Sequence, residues 1–272
     1  MPRRPRLHLA YSTALVTGAT GGIGDAIARA LSARGVRLMV SGRREAELSQ
    51  LAEDLGATTV VCDLAVAAEV DRLAQTALDA GVDVLVANAA HPGTGMLAAL
   101  SQEEVDLILD VNLRAPIELA RVLAPRMVAR GRGHLVFISS LSGKSAQPAS
   151  SLYSATKFGL RGFGLALRED LRGTPVGVSV VAPGFIRDAG MFVRTGVKLP
   201  PGVGTRTPQD VAGAVINAIE DDRAEIDVAP LSVRLGSAAA SVLPGPAGWV
   251  SSKLGSGRIA SEMDAGHRRH SG

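Results

Sequence analysis

The sequence contains very little cysteine and few aromatic residues, and these shortages exclude several classes of protein. Of 272 residues, one is cysteine and 3% are aromatic. A single cysteine cannot form an internal disulfide framework, so we interpret Cys62 as a small buried hydrophobic residue of a protein in a reducing compartment. Hydrophobic residues still make up 46% of the chain. We therefore expect a large core built from alanine, valine, leucine and isoleucine.

The sequence also lacks a strong charge imbalance and any targeting signal. The formal net charge is +3, and the basic clusters at residues 3–6 and 267–270 are interpreted as solvated tails, so we expect no nucleic-acid partner. No signal-peptide pattern is found, and no uncharged apolar stretch is long enough to span a bilayer. These absences predict a cytoplasmic protein without stable membrane insertion. The five histidines form no metal-ligand pattern, so no metal site is predicted.

The chemistry of the chain is organised around the stretch from Ser140 to Lys157. Tyr153 and Lys157 are four positions apart, which places them on one face of a predicted helix. Ser140 ends a strand-like run, and open α/β sheets bind ligands at the carboxyl ends of their strands. We predict that Tyr153 exchanges a proton with a carbonyl or alcohol oxygen while Ser140 hydrogen-bonds that oxygen.

Lys157 would make this proton exchange feasible by stabilising the phenolate of Tyr153. Lowering a pKa from about 10 to about 7 takes roughly 4 kcal/mol, and a charge about 4 Å away supplies about that much at an effective dielectric constant near 20. The alternative is a packed tyrosine beside a solvated lysine, which is common on half-buried helices. The choice between them depends on the rest of the chain.

A glycine-rich loop near the amino terminus predicts a dinucleotide site. Residues 13–17 form a short apolar run, Gly18 to Gly24 contains four glycines, and a helical pattern follows at residues 25–34. Glycines let the backbone approach a pyrophosphate, and the amino terminus of the helix attracts its negative charge. The order of strand, glycine loop and helix therefore indicates dinucleotide binding.

The remaining pattern alternates strands with helices, as in a parallel sheet. Strands are predicted at residues 13–17, 36–41, 58–62, 82–87, 134–140, 177–181 and 225–228. This predicts an α/β fold, a Rossmann-type doubly wound parallel sheet of about seven strands flanked by helices. We assign residues 1–11 to a tail, residues 12–230 to one catalytic domain and residues 231–272 to an extension that packs on the domain or on a second subunit. A long helix at residues 101–130 should kink at Asn112, because Pro116 cannot donate to its carbonyl.

Taken together, the motifs resemble those of the short-chain dehydrogenase/reductase family, in its smaller single-domain branch, over roughly residues 12–229. The matching motifs are Thr17-Gly18-x-x-Gly21-x-x-Gly24, Asp63-Leu64, Asn88-Ala89-Ala90, Asn112, Ser140 thirteen residues before Tyr153, Lys157 and Pro183-Gly184.

The resemblance implies a catalytic tetrad and a hydride transfer between nicotinamide C4 and a carbonyl carbon. The implied catalytic residues are Asn112, Ser140, Tyr153 and Lys157. In such a site Lys157 also binds the nicotinamide ribose, and Asn112 holds a water that relays protons. The expected cofactor-binding residues are Gly18, Thr20, Gly21, Gly22, Ile23, Gly24, Arg43, Arg44, Asp63, Leu64, Asn88, Ala89, Ala90, Tyr153, Lys157, Pro183, Gly184 and Ile186.

Two positions depart from the family pattern. Ala90 stands where the family often has glycine, and Asp188 stands where it often has threonine. The threonine usually bonds the nicotinamide carboxamide. An aspartate can accept a hydrogen bond from that amide but cannot donate one.

The residues after the second strand predict NADP(H) as the preferred cofactor and NAD(H) as the alternative. Gly42 occupies the position where NAD-binding proteins usually carry an acid, which would repel a 2′-phosphate. Arg43 follows at once, and its planar guanidinium suits a phosphate, with Arg44 as a second contact. The competing interpretation is that both arginines only begin a surface helix.

We therefore expect an oxidoreductase that interconverts a small-molecule ketone or aldehyde and its alcohol. Apolar residues at 189–201 predict a lid over a lipophilic pocket. One alternative is a 3-oxoacyl carrier-protein reductase, with Arg126, Arg130, Arg168 and Arg172 receiving an acidic carrier unless they are solvated helix faces. Another is a dinucleotide-binding regulator without turnover. By analogy with the family, a homodimer or homotetramer is expected.

Overall fold

The predicted parallel sheet is present in the computed structural model, which describes residues 7–93, 95–188, 204–243 and 245. Seven strands of this described part pair in the order β3-β2-β1-β4-β5-β6-β7, all in parallel. They are β1 (Thr13–Thr17), β2 (Arg37–Gly42), β3 (Thr58–Val61), β4 (Val84–Ala87), β5 (Gly133–Ile138), β6 (Val176–Pro183) and β7 (Glu225–Val228).

Helices cover both faces of the sheet, as a doubly wound fold requires. They are α1 (Gly22–Ser32), α2 (Glu45–Leu55), α3 (Ala67–Asp79), α4 (Gln102–Leu109), α5 (Ala115–Ala129), α6 (Ser151–Asp170), α7 (Pro208–Glu220) and α8 (Leu231–Val242). Successive strand residues alternate between two core layers. Val16 and Val136 pack with α1, α2 and α7, whereas Leu15 and Phe137 pack with α3, α5 and α6. Burial on both faces explains why these strands are almost continuously apolar.

The predicted long helix is interrupted at the predicted place. Residues Asp110–Arg114 form a π-helical turn between α4 and α5, and Asn112 lies within it. Pro116 has no N–H group, so the Asn112 carbonyl lacks its regular partner four residues ahead. The local irregularity takes the form of a widened turn that directs the Asn112 side chain inward.

Several smaller features also agree with the sequence, and one does not. Cys62 is a buried free cysteine, and burial raises the pKa of its thiol to about 11. Thr207 caps α7, with Pro208 at the first helical position. A serine at the start of a helix is expected to cap it, but α6 begins at Ser151 itself and no side chain caps the helix. In the described ranges, none of the helices combines the length and apolar character that a membrane crossing requires.

The extension begins with α8, which contacts the domain. Ser241 Oγ donates to the Lys144 carbonyl oxygen at 2.7 Å, and Val233 packs against Leu141 and Ala182. The assignment of residues 231–272 to a separate extension stays a prediction. Residues 189–201, which we interpreted as a lid, and the end of the extension around Trp249 lie outside the described residues.

Two glycines of α6 provide a matched test of helix–sheet packing. A Cβ added to Gly164 would lie 2.7 Å from Val180 Cγ2 and 3.0 Å from Phe137 Cδ2, whereas a Cβ on Gly162 would meet no atom within 4 Å. We expect Gly164→Ala to lower the free energy of unfolding by about 1–3 kcal/mol through overpacking. Gly162→Ala should raise it by about 0.5–1 kcal/mol through helix propensity. Urea unfolding measures both, and changes of the same sign would contradict the packing described.

Candidate active site

The predicted site residues converge on one edge of the sheet, because each group follows the carboxyl end of a parallel strand. The strand order reverses between β1 and β4, and such a switch point opens a crevice for ligands. The groups are residues 18–24 after β1, 43–44 after β2, 63–64 after β3, 88–90 after β4, Ser140 after β5, and Gly184 with Ile186 after β6.

The glycine loop has the shape that a pyrophosphate needs. Gly18 adopts a φ of +63°, and a Cβ there would lie 2.8 Å from Ala89 Cα. A Cβ on Gly24 would overlap the Gly18 carbonyl oxygen. No side chain caps α1, which leaves the N–H groups of its first turn available to an anion. These residues fit the phosphates of a dinucleotide.

Asn88 and Thr17 join the loops that flank this crevice. Asn88 Nδ2 donates to the carbonyl oxygens of Thr17 and Gly18 at 3.0 and 3.2 Å. Thr17 Oγ1 accepts from the backbone N–H groups of Asn88 and Ala89 at 3.1 and 3.2 Å. The Asn88 amide therefore holds the glycine loop in place. Thr17 is a second supporting residue, and the sequence analysis did not predict the role of its side chain.

Two guanidinium groups lie beside the glycine loop at the end of β2. Arg44 Nη2 donates to the Thr20 carbonyl oxygen at 2.7 Å, and its Nε is 2.6 Å from Glu47 Oε2. Arg43 lies 3.8 Å from Asp63 Oδ2, with 62% of its side chain exposed. Arg44 therefore already contacts Thr20 and Glu47, whereas the guanidinium of Arg43 is more accessible to a phosphate.

Two of the predicted cofactor contacts have their side chains in the core. Leu64 belongs to the core cluster beneath α3, and Ile186 belongs to the cluster on the other face of the sheet. The backbone of Ile186 also forms an isolated parallel β-bridge with that of Arg206. Their side chains serve packing, which leaves chiefly their backbone atoms for contact with a cofactor.

The hydroxyl, phenol and ammonium predicted from sequence are neighbours in space. Ser140 Oγ lies 3.4 Å from the Pro183 carbonyl oxygen, and it acts on the phenol of Tyr153 to lower its pKa. Lys157 Nζ is 5.7 Å from the centre of the Tyr153 ring. The same ammonium donates to the Ile138 carbonyl oxygen at 2.9 Å. The end of β5 and the first turns of α6 therefore meet at these side chains.

The pKa of Tyr153 moves opposite to our expectation. Burial raises the pKa of Tyr153 to about 12, although its hydrogen bond with Ser140 acts to lower it. Burial lowers the pKa of Lys157 to about 8. Burial of the phenol outweighs the lowering of the Tyr153 pKa that we expected. At neutral pH the phenol is therefore protonated, which suits a proton donor.

Asn112 is a brace between three parts of the site. Its side chain is fully buried, so Asn112 is not a solvated residue on a helix surface. Its Oδ1 accepts from the His91 N–H at 2.6 Å, and its Nδ2 donates to the His91 carbonyl at 2.9 Å and to Thr156 Oγ1 at 3.3 Å. Thr156 in turn donates to the Tyr153 carbonyl at 2.8 Å. Thr156 could have been suspected from its place beside Lys157, whereas His91 acts here through its backbone and left no signal.

Two of the arginines considered for an acidic carrier make their contacts at the amino edge of the sheet. Arg130 donates to the Val82 carbonyl oxygen, just before β4 begins. Arg168 pairs with Asp222 at 2.7 Å, just before β7 begins. Both contacts lie at the amino edge, opposite the candidate site. Arg130 and Arg168 are thus bound within the protein, and a carrier contact by Arg126 or Arg172 stays a prediction.

Comparison with known proteins connects this geometry to a large enzyme family. A family model described as "short chain dehydrogenase" matches residues 12–197. Ketoacyl reductase HetN of Nostoc sp. is 37% identical over 227 residues, which are 81% of this chain and 79% of that protein. Human dehydrogenase/reductase SDR family member 4 is 37% identical over 187 residues, which are 66% and 67% of the two chains.

Solved structures agree with the sequence matches. A metagenomic short-chain oxidoreductase in complex with NADP has a TM-score of 0.71 and 34% identity, covering 82% of this chain and 99% of that one. A putative betaketoacyl-ACP reductase has a TM-score of 0.74 and 30% identity, covering 81% and 97%. The fold is thus shared with proteins of this kind over most of their length.

The buried Lys157 predicts a specific dependence of stability on pH. Its pKa is lower in the folded state than the ordinary value of 10.5, so the unfolded chain binds more protons between about pH 8 and 10.5 and stability rises with pH in that window. We expect the free energy of unfolding of the wild type to rise relative to Lys157→Met by about 2 kcal/mol from pH 7 to pH 10. Urea unfolding followed by circular dichroism measures this. A difference that stays constant would contradict the buried ammonium.

Proposed function

The chain belongs to the short-chain dehydrogenase/reductase family, and we propose that it is an NADP(H)-preferring member acting on an apolar ketone or aldehyde and its alcohol. Family membership makes it an oxidoreductase of the CH–OH group that uses NAD(P). The observation that carries the proposal is that Ser140, Tyr153 and Lys157 lie together at the edge of the sheet that also carries the glycine loop. A regulator without turnover would not need these groups assembled.

Tyr153 is the proposed general acid for carbonyl reduction. Bound NADPH would supply the hydride to the carbonyl carbon. As charge grows on the carbonyl oxygen, that oxygen takes the phenolic proton of Tyr153, while Ser140 hydrogen-bonds the same oxygen. A pKa of about 12 keeps Tyr153 protonated in the free protein. The free protein thus already holds the proton that carbonyl reduction requires.

Lys157 is proposed to stabilise the phenolate that remains on Tyr153. With a pKa of about 8, its amine is mostly an ammonium at neutral pH. Because only 2% of the residue is exposed, water and salt screen its charge little. Asn112 is proposed to hold the water that returns a proton, through the carbonyl that Pro116 leaves without its regular partner.

The preference for NADP(H) is proposed from the charges after β2. Arg43 is largely exposed at the carboxyl edge, and the neighbouring Gly42 supplies no carboxylate to repel a 2′-phosphate. A similar structure is described as an NADP complex, which supports the same cofactor here. The exposed end of Arg43 would meet the phosphate, and Arg44 would steady the glycine loop.

The substrate is proposed to be apolar, from residues at the mouth of the crevice. Met96 and Leu97 follow β4 and are 65% and 60% exposed. Gly95 N–H donates to the Ala149 carbonyl at 2.8 Å, which places these side chains beside the segment that leads to Tyr153. Exposed apolar side chains at a site mouth suit an apolar ligand.

A 3-oxoacyl thioester is the second candidate substrate. Both the Nostoc relative and one of the similar structures bear names that specify ketoacyl reduction. An acyl chain would suit Met96 and Leu97 equally well. A homodimer or homotetramer stays a prediction for either substrate.

One assay tests the proposed function and separates the two substrates. The purified protein is mixed with NADPH and a panel of simple ketones, aldehydes and 3-oxoacyl thioesters, and NADPH absorbance is followed. A higher kcat/KM for apolar ketones supports the first proposal, and a higher value for thioesters supports the second. NADPH binding without turnover across the panel would contradict both.

Arg43→Ala should weaken the preference for NADPH over NADH. Loss of a charged hydrogen bond to the phosphate is expected to lower the ratio of the two kcat/KM values about tenfold or more. Arg37→Ala is the matched control, because Arg37 is exposed at the opposite end of the same strand. An unchanged ratio in Arg43→Ala, or an equal fall in the control, would refute the assignment.

A further inference from the structure

Four charged side chains on β7 and its neighbours connect the two halves of the active site. Glu225 and Asp227 are alternate residues of β7 and so share one face of the sheet. Lys144 Nζ lies 2.6 Å from Asp227 Oδ1 and 3.0 Å from Glu225 Oε2. Arg161 of α6 donates to both carboxylate oxygens of Glu225, at 2.6 and 3.1 Å. Glu225 therefore accepts from a lysine on one side and from a bidentate arginine on the other.

The cluster is shielded from solvent, which makes these contacts stronger than ordinary surface ion pairs. The exposed side-chain fractions are 12% for Lys144, 21% for Glu225 and 18% for Asp227. Burial acts to raise the pKa of Glu225, but hydrogen bonds from Arg161 and Lys144 outweigh it and hold the pKa below its usual value. Glu225 is thus anionic at neutral pH. Removing its charge would leave two shielded cations with one fewer partner.

The two cations come from the two elements that carry the catalytic groups. Lys144 ends the short 3₁₀ turn Leu141–Gly143 that directly follows Ser140. Arg161 lies one helical turn beyond Lys157 and two turns beyond Tyr153 on α6. Through Glu225, the position of the Ser140 turn is therefore coupled to the position of the helix that carries the phenol.

The backbone of the same turn is held independently, so the ion pairs add a specific constraint. Ser241 Oγ of α8 donates to the Lys144 carbonyl at 2.7 Å. Ser139 Oγ donates to the Lys157 carbonyl at 2.9 Å, and a Cβ on Gly143 would lie 2.6 Å from that same carbonyl oxygen. These contacts hold the turn close to α6, and the charged cluster sets the distance between the turn and β7.

We propose that Glu225 is a positioning residue that sets the contact between Ser140 and Tyr153 by tying Lys144 and Arg161 together. The catalytic part of this inference rests on the proposed function. Glu225 lies on the edge strand β7, and its side chain contacts Lys144 and Arg161. Lys144 is four residues after Ser140, and Arg161 is four residues after Lys157. Its role would be to keep the serine hydroxyl on the phenol oxygen.

Glu225→Gln tests this role, because it keeps the shape of the side chain and removes its charge. We expect kcat to fall about tenfold while the Kd for NADPH stays within about twofold, since the glycine loop and Arg43, which would hold the phosphates, lie on other loops. In alcohol oxidation the phenolate is the base. The pKa that governs the rise of kcat with pH should therefore increase, because Ser140 no longer lowers the pKa of Tyr153 fully. Amide hydrogen exchange at residues 140–145 should speed up.

Asp222→Asn is the matched control. Asp222 makes a bidentate pair, at 2.7 and 2.9 Å, with Arg168, which lies on α6 as Arg161 does. This pair is at the amino edge of the sheet. The exposed side-chain fractions, 19% for Arg168 and 26% for Asp222, resemble those of the Glu225 cluster. We expect a comparable loss of stability with an unchanged pH profile and unchanged exchange at residues 140–145.

The outcomes separate the inference from the proposed function. A wild type that turns over, with a Glu225→Gln variant of unchanged kcat and pH profile, overturns the inference. Faster exchange at residues 140–145 together with a shifted pH profile supports it. Unchanged amide hydrogen exchange at residues 140–145 overturns the inference, whether or not the wild type turns over. A wild type without turnover would itself contradict the proposed function. If Glu225→Gln does not fold, Lys144→Met, which removes the other end of the link, must show the same shift.

Discussion

The geometry of the site depends on the buried ammonium of Lys157 and its hydrogen bond to the Ile138 carbonyl. This bond joins the carboxyl end of β5 to α6 at the place where Ser140 and Tyr153 meet. Burial of this ammonium lowers the pKa of Lys157 to about 8, which corresponds to roughly 3 kcal/mol of unfavourable charge burial at neutral pH. A neutral residue would be less costly there. The protein thus maintains a charge where a phenolate would need one.

Around that ammonium, the supporting contacts involve the loops that follow β1, β4 and β5. Asn112 holds the loop after β4 against α6, Asn88 holds the same loop against the glycine loop, and Glu225 links the Ser140 turn to α6. Each of these groups is largely buried and uses its polar atoms within the protein. A site assembled in this way is arranged before any ligand binds, which reduces the reorganisation needed during the reaction.

Much of the fold followed from sequence because it rests on local patterns. Apolar runs, glycine spacing and the Tyr153–Lys157 interval are properties of short stretches, and a parallel sheet brings the loops after its strands to one edge. Pairwise geometry could not be read in this way. The rise in the Tyr153 pKa depends on burial by distant residues, and the direction of the Lys157 ammonium depends on where β5 ends. Glu225 and Lys144 are 81 positions apart, so no local pattern marked their contact.

The central claim is that Tyr153 delivers the proton that accompanies hydride transfer to a carbonyl carbon. The most direct measurement uses NADPH that carries deuterium at both C4 positions, with an apolar ketone, in the wild type and in Tyr153→Phe. The wild type should give an alcohol with one deuterium on the carbinol carbon, and the variant should bind NADPH with similar affinity but form product about a hundredfold more slowly or worse. A product without deuterium on that carbon, or a variant that reacts at the wild-type rate, would contradict the account.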